Sequence, residues 1–220
     1  MATEKKLLQA AQQNRSTDWD RYYANPFPAS RITRQMTTKK VIGKLNDLAG
    51  DDQFEIAEFG GGNSFIAGGI LSGTQVGRYV AWDTNARSLD LFRDRYSAHQ
   101  NIEAHLGDVR NMDADAEFDI VFSIGLIEHF GREDTRRALE SHFRACKIGG
   151  HVLVSFPTPT VPYHLIRGLA TLTGTWKFPD ERPLHFDEVL DVALPHGTLR
   201  HRSILWGIGL TQGYVVIQKK

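Results

Sequence analysis

The sequence predicts an α/β fold built on a mostly parallel sheet of seven strands. Three observations predict it. First, the apolar run Phe54–Phe59 leads straight into Gly60-Gly61-Gly62, then into Phe65, Ile66, Ile70 and Leu71 at helical spacing. Second, four more strand-length runs, Arg78–Asp83, Asn101–Leu106, Phe118–Ser123 and Gly150–Pro157, alternate with amphipathic helical patterns. Alternation of this kind demands right-handed crossovers between parallel strands. Third, Arg200–Trp206 and Tyr214–Gln218 follow one another around Gly207 and Gly209 with no helix between, which reads as an antiparallel pair.

The chain's 220 residues fit one domain of this class. Formal net charge is +0, from 26 basic and 26 acidic side chains, so the concentrated basic face of a nucleic-acid binder is not expected. Cys146 is the one cysteine, which excludes an intrachain disulfide framework and suits a reducing compartment. Cys146 itself sits in an apolar helical pattern and reads as core. No run approaches about 20 apolar residues, and the N-terminus lacks a signal-peptide pattern. A cytoplasmic protein without a membrane span is expected, monomeric or homodimeric, with peripheral membrane contact left open. The nine histidines show no ligand spacing, so no metal site is expected.

Taken in order, residues 1 to about 15 read as a polar helix or frayed arm. Trp19, Tyr22, Tyr23 and Phe27 are dense in Ser16–Pro28, where Pro26 and Pro28 argue against regular helix. These rings either pack the arm on the domain or form a lid. Ser30 is a plausible N-cap for a helix over about 31–48, with Ile32, Met36, Val41, Ile42, Leu45 and Leu48 as its stripe and Gly50 as its stop. Arg31, Arg34, Lys39, Lys40 and Lys44 make its outer face basic. A helix over about 85–97 is capped by Asn85, and Arg132–Cys146 is amphipathic and ends at Lys147-Ile-Gly-Gly150. Pro159–Trp176 begins with prolines and then turns apolar and helical; Asp187–Leu194 is a further helix.

The glycine turn offers free backbone N–H groups at a helix start, which suits an anionic or carboxylate-bearing ligand. A dinucleotide fingerprint needs G-x-G-x-x-G, and its third glycine falls on Phe65 here. Asp83 closes the second strand, 23 residues after Gly60, where an acid can accept both hydroxyls of a ribose. Gly107-Asp108-Val109 follows the third strand, where Asp108 on its own reads as a turn-forming residue.

Glu58-x-Gly60-x-Gly62-x-Ser64 resembles motif I of the class I S-adenosylmethionine (SAM)-dependent methyltransferases. Gly107-Asp-Val, the fourth-strand stretch Glu117–Ser123 with the following Leu126-Ile-Glu-His129, and Lys147-Ile-Gly-Gly150 are similar to that family's later motifs, with Ile148 where proline is usual. The resemblance implies the family's seven-stranded sheet, last strand antiparallel and helices on both faces. It divides a single domain into an arm or lid (1–50), a SAM-binding core (51–156), a cap inserted after the fifth strand (157–185), and a C-terminal helix and strand pair (186–220). It implies SAM as cofactor, held by Glu58, Gly60, Gly61, Gly62, Asp83, Thr84, Asp108, Val109, Ser123 and Ile124. It makes His129 and His185 candidate general bases, with structural roles as the alternative. Tyr22, Tyr23, Tyr163, His164 and Arg167 become candidate contacts for the acceptor. The expected reaction is methyl transfer to O or N, rather than C, of a small-molecule, glycan or lipid-linked acceptor. The rivals are a non-catalytic scaffold on the same fold and an NAD-type oxidoreductase.

Overall fold

The structure, a computed structural model, describes residues 16–24, 28–49, 53–64, 66–73, 75–112, 114–207 and 210–220. The expected first helix, Pro26, Phe27, Gly50, Phe65 and Gly209 lie outside them, as do the side chains of Ser30, Arg31, Ile32, Arg34 and Met36. In chain order the elements are α1 (Trp19–Ala24), α2 (Pro28–Ala49), β1 (Phe54–Phe59), α3 (Ile66–Gly73), β2 (Val76–Asp83), α4 (Ala86–Arg95), β3 (Ile102–Leu106) and β4 (Phe118–Ile124). Then follow α5 (Arg132–Ala145), β5 (Cys146–Pro157), α6 (Val161–Leu172), α7 (Phe186–Ala193), β6 (Gly197–Gly207) and β7 (Leu210–Lys219). Short 3-10 turns cover Val109–Asn111 and Ile127–His129.

The sheet order is β3-β2-β1-β4-β5-β7-β6. Strands β1 to β5 pair in parallel, and β7 runs antiparallel between β5 and β6. Connections run outward in both directions from the β1–β4 junction. Open sheets of this kind bind ligands at that switch point, beyond the carboxyl ends of the strands.

Strand β1 shows how the two faces form. Ile56 packs among Leu45, Ile66, Ile70, Tyr79 and Phe92 on one face. Its neighbours Ala57 and Phe59 pack on the other, with Phe118, Leu139, Phe143 and Val189. Period-two alternation thus feeds two cores, with helices on both faces. Each large side chain fully buried here, such as Phe59 or Phe122, contributes about 2–3 kcal/mol of transfer free energy.

Two local expectations change. The prolines do not bar helix around residue 28: α1 ends at Ala24, and α2 starts with Pro28 in its first turn. A first-turn N–H has no intrahelical partner to lose, so proline is tolerated there. Ser30 is therefore inside α2 and does not cap it. The Lys147–Gly150 stretch is not a loop ending α5, because β5 already begins at Cys146. Phe118 pairs with Cys146 and Ile120 with His151, so the glycines form a bulge, with Gly149 at φ +81°. A side chain at Gly150 would stand 2.7 Å from the Asp119 carbonyl, which explains the residue type.

The histidine of α5 is a core group. His142 is fully buried, its Nδ1 2.7 Å from the Ala138 carbonyl and its Nε2 2.9 Å from Ser123 Oγ. The carbonyl can only accept, so Nδ1 carries the hydrogen and the serine hydroxyl donates to Nε2. Burial pushes the imidazole down from 6.5 to about 4. The unfolded chain therefore takes up this proton well before the folded one does. Its contribution is present at neutral pH and is lost as pH falls from 6.5 through about 4. The full loss is roughly 3 kcal/mol. Urea denaturation should show a steeper loss of stability on acidification in the wild type than in His142→Gln; equal slopes would exclude this role.

Candidate active site

A cavity of about 620 Å³ opens at the switch point. Gly60, Gly62 and Ser64 from the loop after β1 line it, with Asp83 and Thr84 from the end of β2. Gly107, Asp108 and Val109 follow β3, and Ile124 and Gly125 follow β4. Thus eight of the expected cofactor residues, Glu58, Gly60, Gly62, Asp83, Thr84, Asp108, Val109 and Ile124, share one wall system. Gly61 and Ser123 do not line it. The Gly61 N–H donates to the Trp82 carbonyl, and the Ser123 hydroxyl turns into the core toward His142.

The loop is held by two acids. Glu58 is buried at 4% exposure and accepts from Tyr79 Oη (2.5 Å) and Ser64 Oγ (2.9 Å). Burial pushes it up to about 7, against the opposing effect of those two hydrogen bonds. Asp83 accepts from the Gly62 N–H (2.9 Å) and the Asn85 N–H (2.8 Å), tying the glycine loop to the start of α4. Burial raises its pKa as well. Asp108 is committed differently. It caps the 3-10 turn through the Arg110 N–H and is clasped by the Arg110 guanidinium, which also reaches Asp134. That guanidinium holds the Asp108 carboxyl below its ordinary value.

The opposite end of the cavity is aromatic and acidic. Helix α1 lays Trp19, Tyr22 and Tyr23 along it, and the segment after α6 adds Trp176 and Phe178. Trp19 meets the His129 ring at 5.0 Å, and Tyr22 meets Phe178 at 5.1 Å. Tyr23 reaches further, to Ser88 and the neighbourhood of Asp83 and Glu58; burial pushes its phenol well above the ordinary value. Asp180 receives the Thr17 N–H and hydroxyl and lies 2.9 Å from His129 Nδ1. Those donors hold the Asp180 carboxyl down at about 2, so it is ionised and His129 donates from Nδ1. The ring's burial lowers His129, but Asp180, Glu128 and Glu181 together outweigh it and raise the imidazole above its ordinary value.

Sequence spacing did not show this cluster. Asp180 and Glu181 lie some 50 positions beyond Glu128 and His129, and only folding joins them. One donor atom each of Glu128, His129 and Glu181 falls within 4.8 Å of the others, a set that could hold a cation. The backbone N–H of Arg182 donates to the Glu128 carbonyl and fixes the junction. Tyr163 is buried, with its hydroxyl on Glu181, and Arg167 donates to that hydroxyl and to the Glu181 carbonyl. His164 is exposed on α6, and His185 precedes α7; neither lines the cavity.

The loop's tightness is testable. A Cβ at Gly62 would stand 1.9 Å from Ser88 Oγ and 2.5 Å from Asp83 Oδ2. Gly62→Ala should therefore cost about 1–3 kcal/mol in denaturant unfolding. Gly168→Ala, on helix α6 with open space at its Cβ, should instead stabilise by about 0.5–1 kcal/mol. Equal effects would remove the packing argument.

Comparison with known proteins fits this geometry. Residues 56–150 match the family model described as a methyltransferase domain. No curated protein matches the chain. Among solved structures, magnesium protoporphyrin IX methyltransferase from Synechocystis PCC 6803, with S-adenosylhomocysteine (SAH) bound, superposes with a TM-score of 0.71 at 11% identity, covering 92% of this chain and 93% of that one. The N-methyltransferase NodS from Bradyrhizobium japonicum WM9, in complex with SAH, gives a TM-score of 0.63 at 13% identity over 96% and 97% of the two chains. The matched segment spans the glycine loop, both acid-tipped strands and the Glu128-His129 turn; this part of the chain is similar to a methyltransferase domain, and the superpositions show that the chain shares those enzymes' fold.

Proposed function

We propose that this chain transfers a methyl group from SAM to a small-molecule acceptor. The observation that carries the reading is the convergence of Glu58, Gly60, Gly62, Asp83 and Asp108 on one cavity at the sheet's switch point. The cradle fits the cofactor's parts. Gly62 leaves no room for a side chain, so a ligand meets bare backbone at the loop. Asp83 keeps unused lone pairs beside its two backbone bonds and can take ribose hydroxyls. The Val109 N–H, at the mouth after β3, can meet an adenine ring nitrogen, and Asp108 can accept from the adenine amino group once it gives up part of its hold on Arg110. SAM supplies an electrophilic methyl group on a sulfonium.

The protein's share is alignment, exclusion of water and handling of one proton. The His129–Asp180 pair is the base we favour over His185, because the His129 ring lines the cavity with Nδ1 anchored on Asp180, which leaves Nε2 as the nitrogen able to take a proton, whereas His185 does not line it. Helix α1 acts as a lid: Thr17 and Asn85 tie it to the cap and to α4, and its rings cover His129. Val161, Leu165, Leu169 and Leu172 form an exposed apolar stripe on α6, which supports contact of the cap with apolar material such as a lipid-linked acceptor. Among the described residues no helix is long and apolar enough to cross a membrane.

Calorimetric titration with SAH, with NAD as control, tests the reading. SAH alone should bind, and Asp83→Ala should weaken it by more than about tenfold. Binding of NAD alone, or an unaltered SAH affinity in the variant, would overturn the assignment. Trp19→Ala should speed SAH release by several-fold in stopped-flow fluorescence if the arm is a lid, and leave it unchanged if the arm only packs.

A further inference from the structure

The acceptor end of the cavity carries more acid than the fold needs. Glu128 is buried at 2% exposure, and its Oε2 has no hydrogen-bond partner among the described residues. A buried polar atom left unmatched costs about 1–3 kcal/mol, and more when charged. Glu181 lies across from it, with Tyr163 on one oxygen, and Asp180 stands behind His129. Three carboxylates and one imidazole therefore crowd a region whose other walls are rings: Trp19, Tyr22, Trp176 and Phe178. Of the cations near this end, Arg167 is turned away onto Tyr163 and the Glu181 carbonyl, with its guanidinium over the Tyr163 and Trp176 rings, and Lys177, between Trp176 and Phe178, borders the cavity from an exposed position.

We propose that this end of the cavity binds the acceptor as an organic ammonium, so that the methylated atom is an amine nitrogen. The inference rests on the methyltransferase reading and narrows it. Burial pushes the Glu128 carboxyl up to about 7 and raises that of Glu181, so a bound ammonium would favour their ionised forms, whereas a carboxylate or phosphate acceptor would meet those forms with like charge. An ammonium gives Glu128 Oε2 the donor it lacks, and rings around a cation add cation–π attraction. A hydrated divalent metal ion would find the same three donor atoms. One Glu181 oxygen is already taken by Tyr163, however, and a wall of rings stabilises an organic cation better than the water shell of a hydrated ion. The ammonium's proton leaves to His129 Nε2, which accepts it while Nδ1–H stays on Asp180. The nitrogen so regains the lone pair it needs as a nucleophile.

The test uses the full chain saturated with SAH. Benzylamine, 2-phenylethylamine and tryptamine are titrated calorimetrically against 2-phenylethanol, phenylacetate and Mn²⁺ alone. At least one amine should bind, more than about tenfold tighter than the alcohol, with no heat from phenylacetate. Glu128→Gln, an isosteric change, should lose about tenfold in amine affinity while SAH affinity stays within about twofold. Glu181→Gln should do the same. Equal binding of amine and alcohol, preference for phenylacetate, no binding by any amine while SAH binds, or Mn²⁺ binding abolished by Glu128→Gln would each overturn the proposal. Failure of SAH itself to bind would strike the methyltransferase reading instead, and the two failures are separately read.

Discussion

The interaction on which most of the structure depends is the burial of Glu58 at the end of the central strand. A carboxylate in that position is costly, and two hydroxyls, from Tyr79 on β2 and Ser64 beyond the glycines, are spent in holding it. Each bond constrains something larger. Tyr79 locks the β1–β2 pair from inside the core. Ser64 brings the chain back after the glycine turn and passes its own oxygen to the Ile66 N–H, starting α3. The loop thus takes its shape from the acid beneath it as much as from its glycines. Gly60, at φ +73°, lets the chain leave β1 toward Trp82, and Gly62 lets it press on Ser88 and Asp83.

Asp83 plays the same part from the neighbouring strand, and its charge raises the Glu58 pKa by less than burial does. A loop clamped between a buried carboxylate, Glu58, and a half-buried one, Asp83, is already organised before any ligand arrives. Preorganisation of that kind lowers the entropy cost of binding.

The sheet and the glycine loop were legible in the sequence because both rest on local signals. Strand period, helix spacing and a triple glycine are short-range patterns, and seven strands emerge from them with boundaries off by a few residues. The departures came where a residue's local preference is position-dependent. Pro28 bars a helix interior but suits a first turn, and Gly149-Gly150 can end a helix or bulge a strand. Ser123 was legible as the residue at the tip of β4 but not as a partner of His142. That contact depends on which way two elements face across the core.

The acceptor end was least legible, for a physical reason. Its chemistry is made by joining a turn after β4 to a segment before α7, across a cap, with α1 folded over both. None of Glu128, Asp180 and Glu181 stands out alone, since exposed acids are common and burial is a property of the fold. What marks them is mutual position: an ionised Asp180 on His129, an unmatched Glu128 oxygen beside it, and a wall of rings. Low dielectric strengthens every one of these interactions and makes leaving any of them unmatched more costly. A site so arranged is selective by penalty. Under the ammonium proposal, an anionic acceptor would be repelled by Glu128 and one without a donor would leave its oxygen unpaired, before any bond is made or broken.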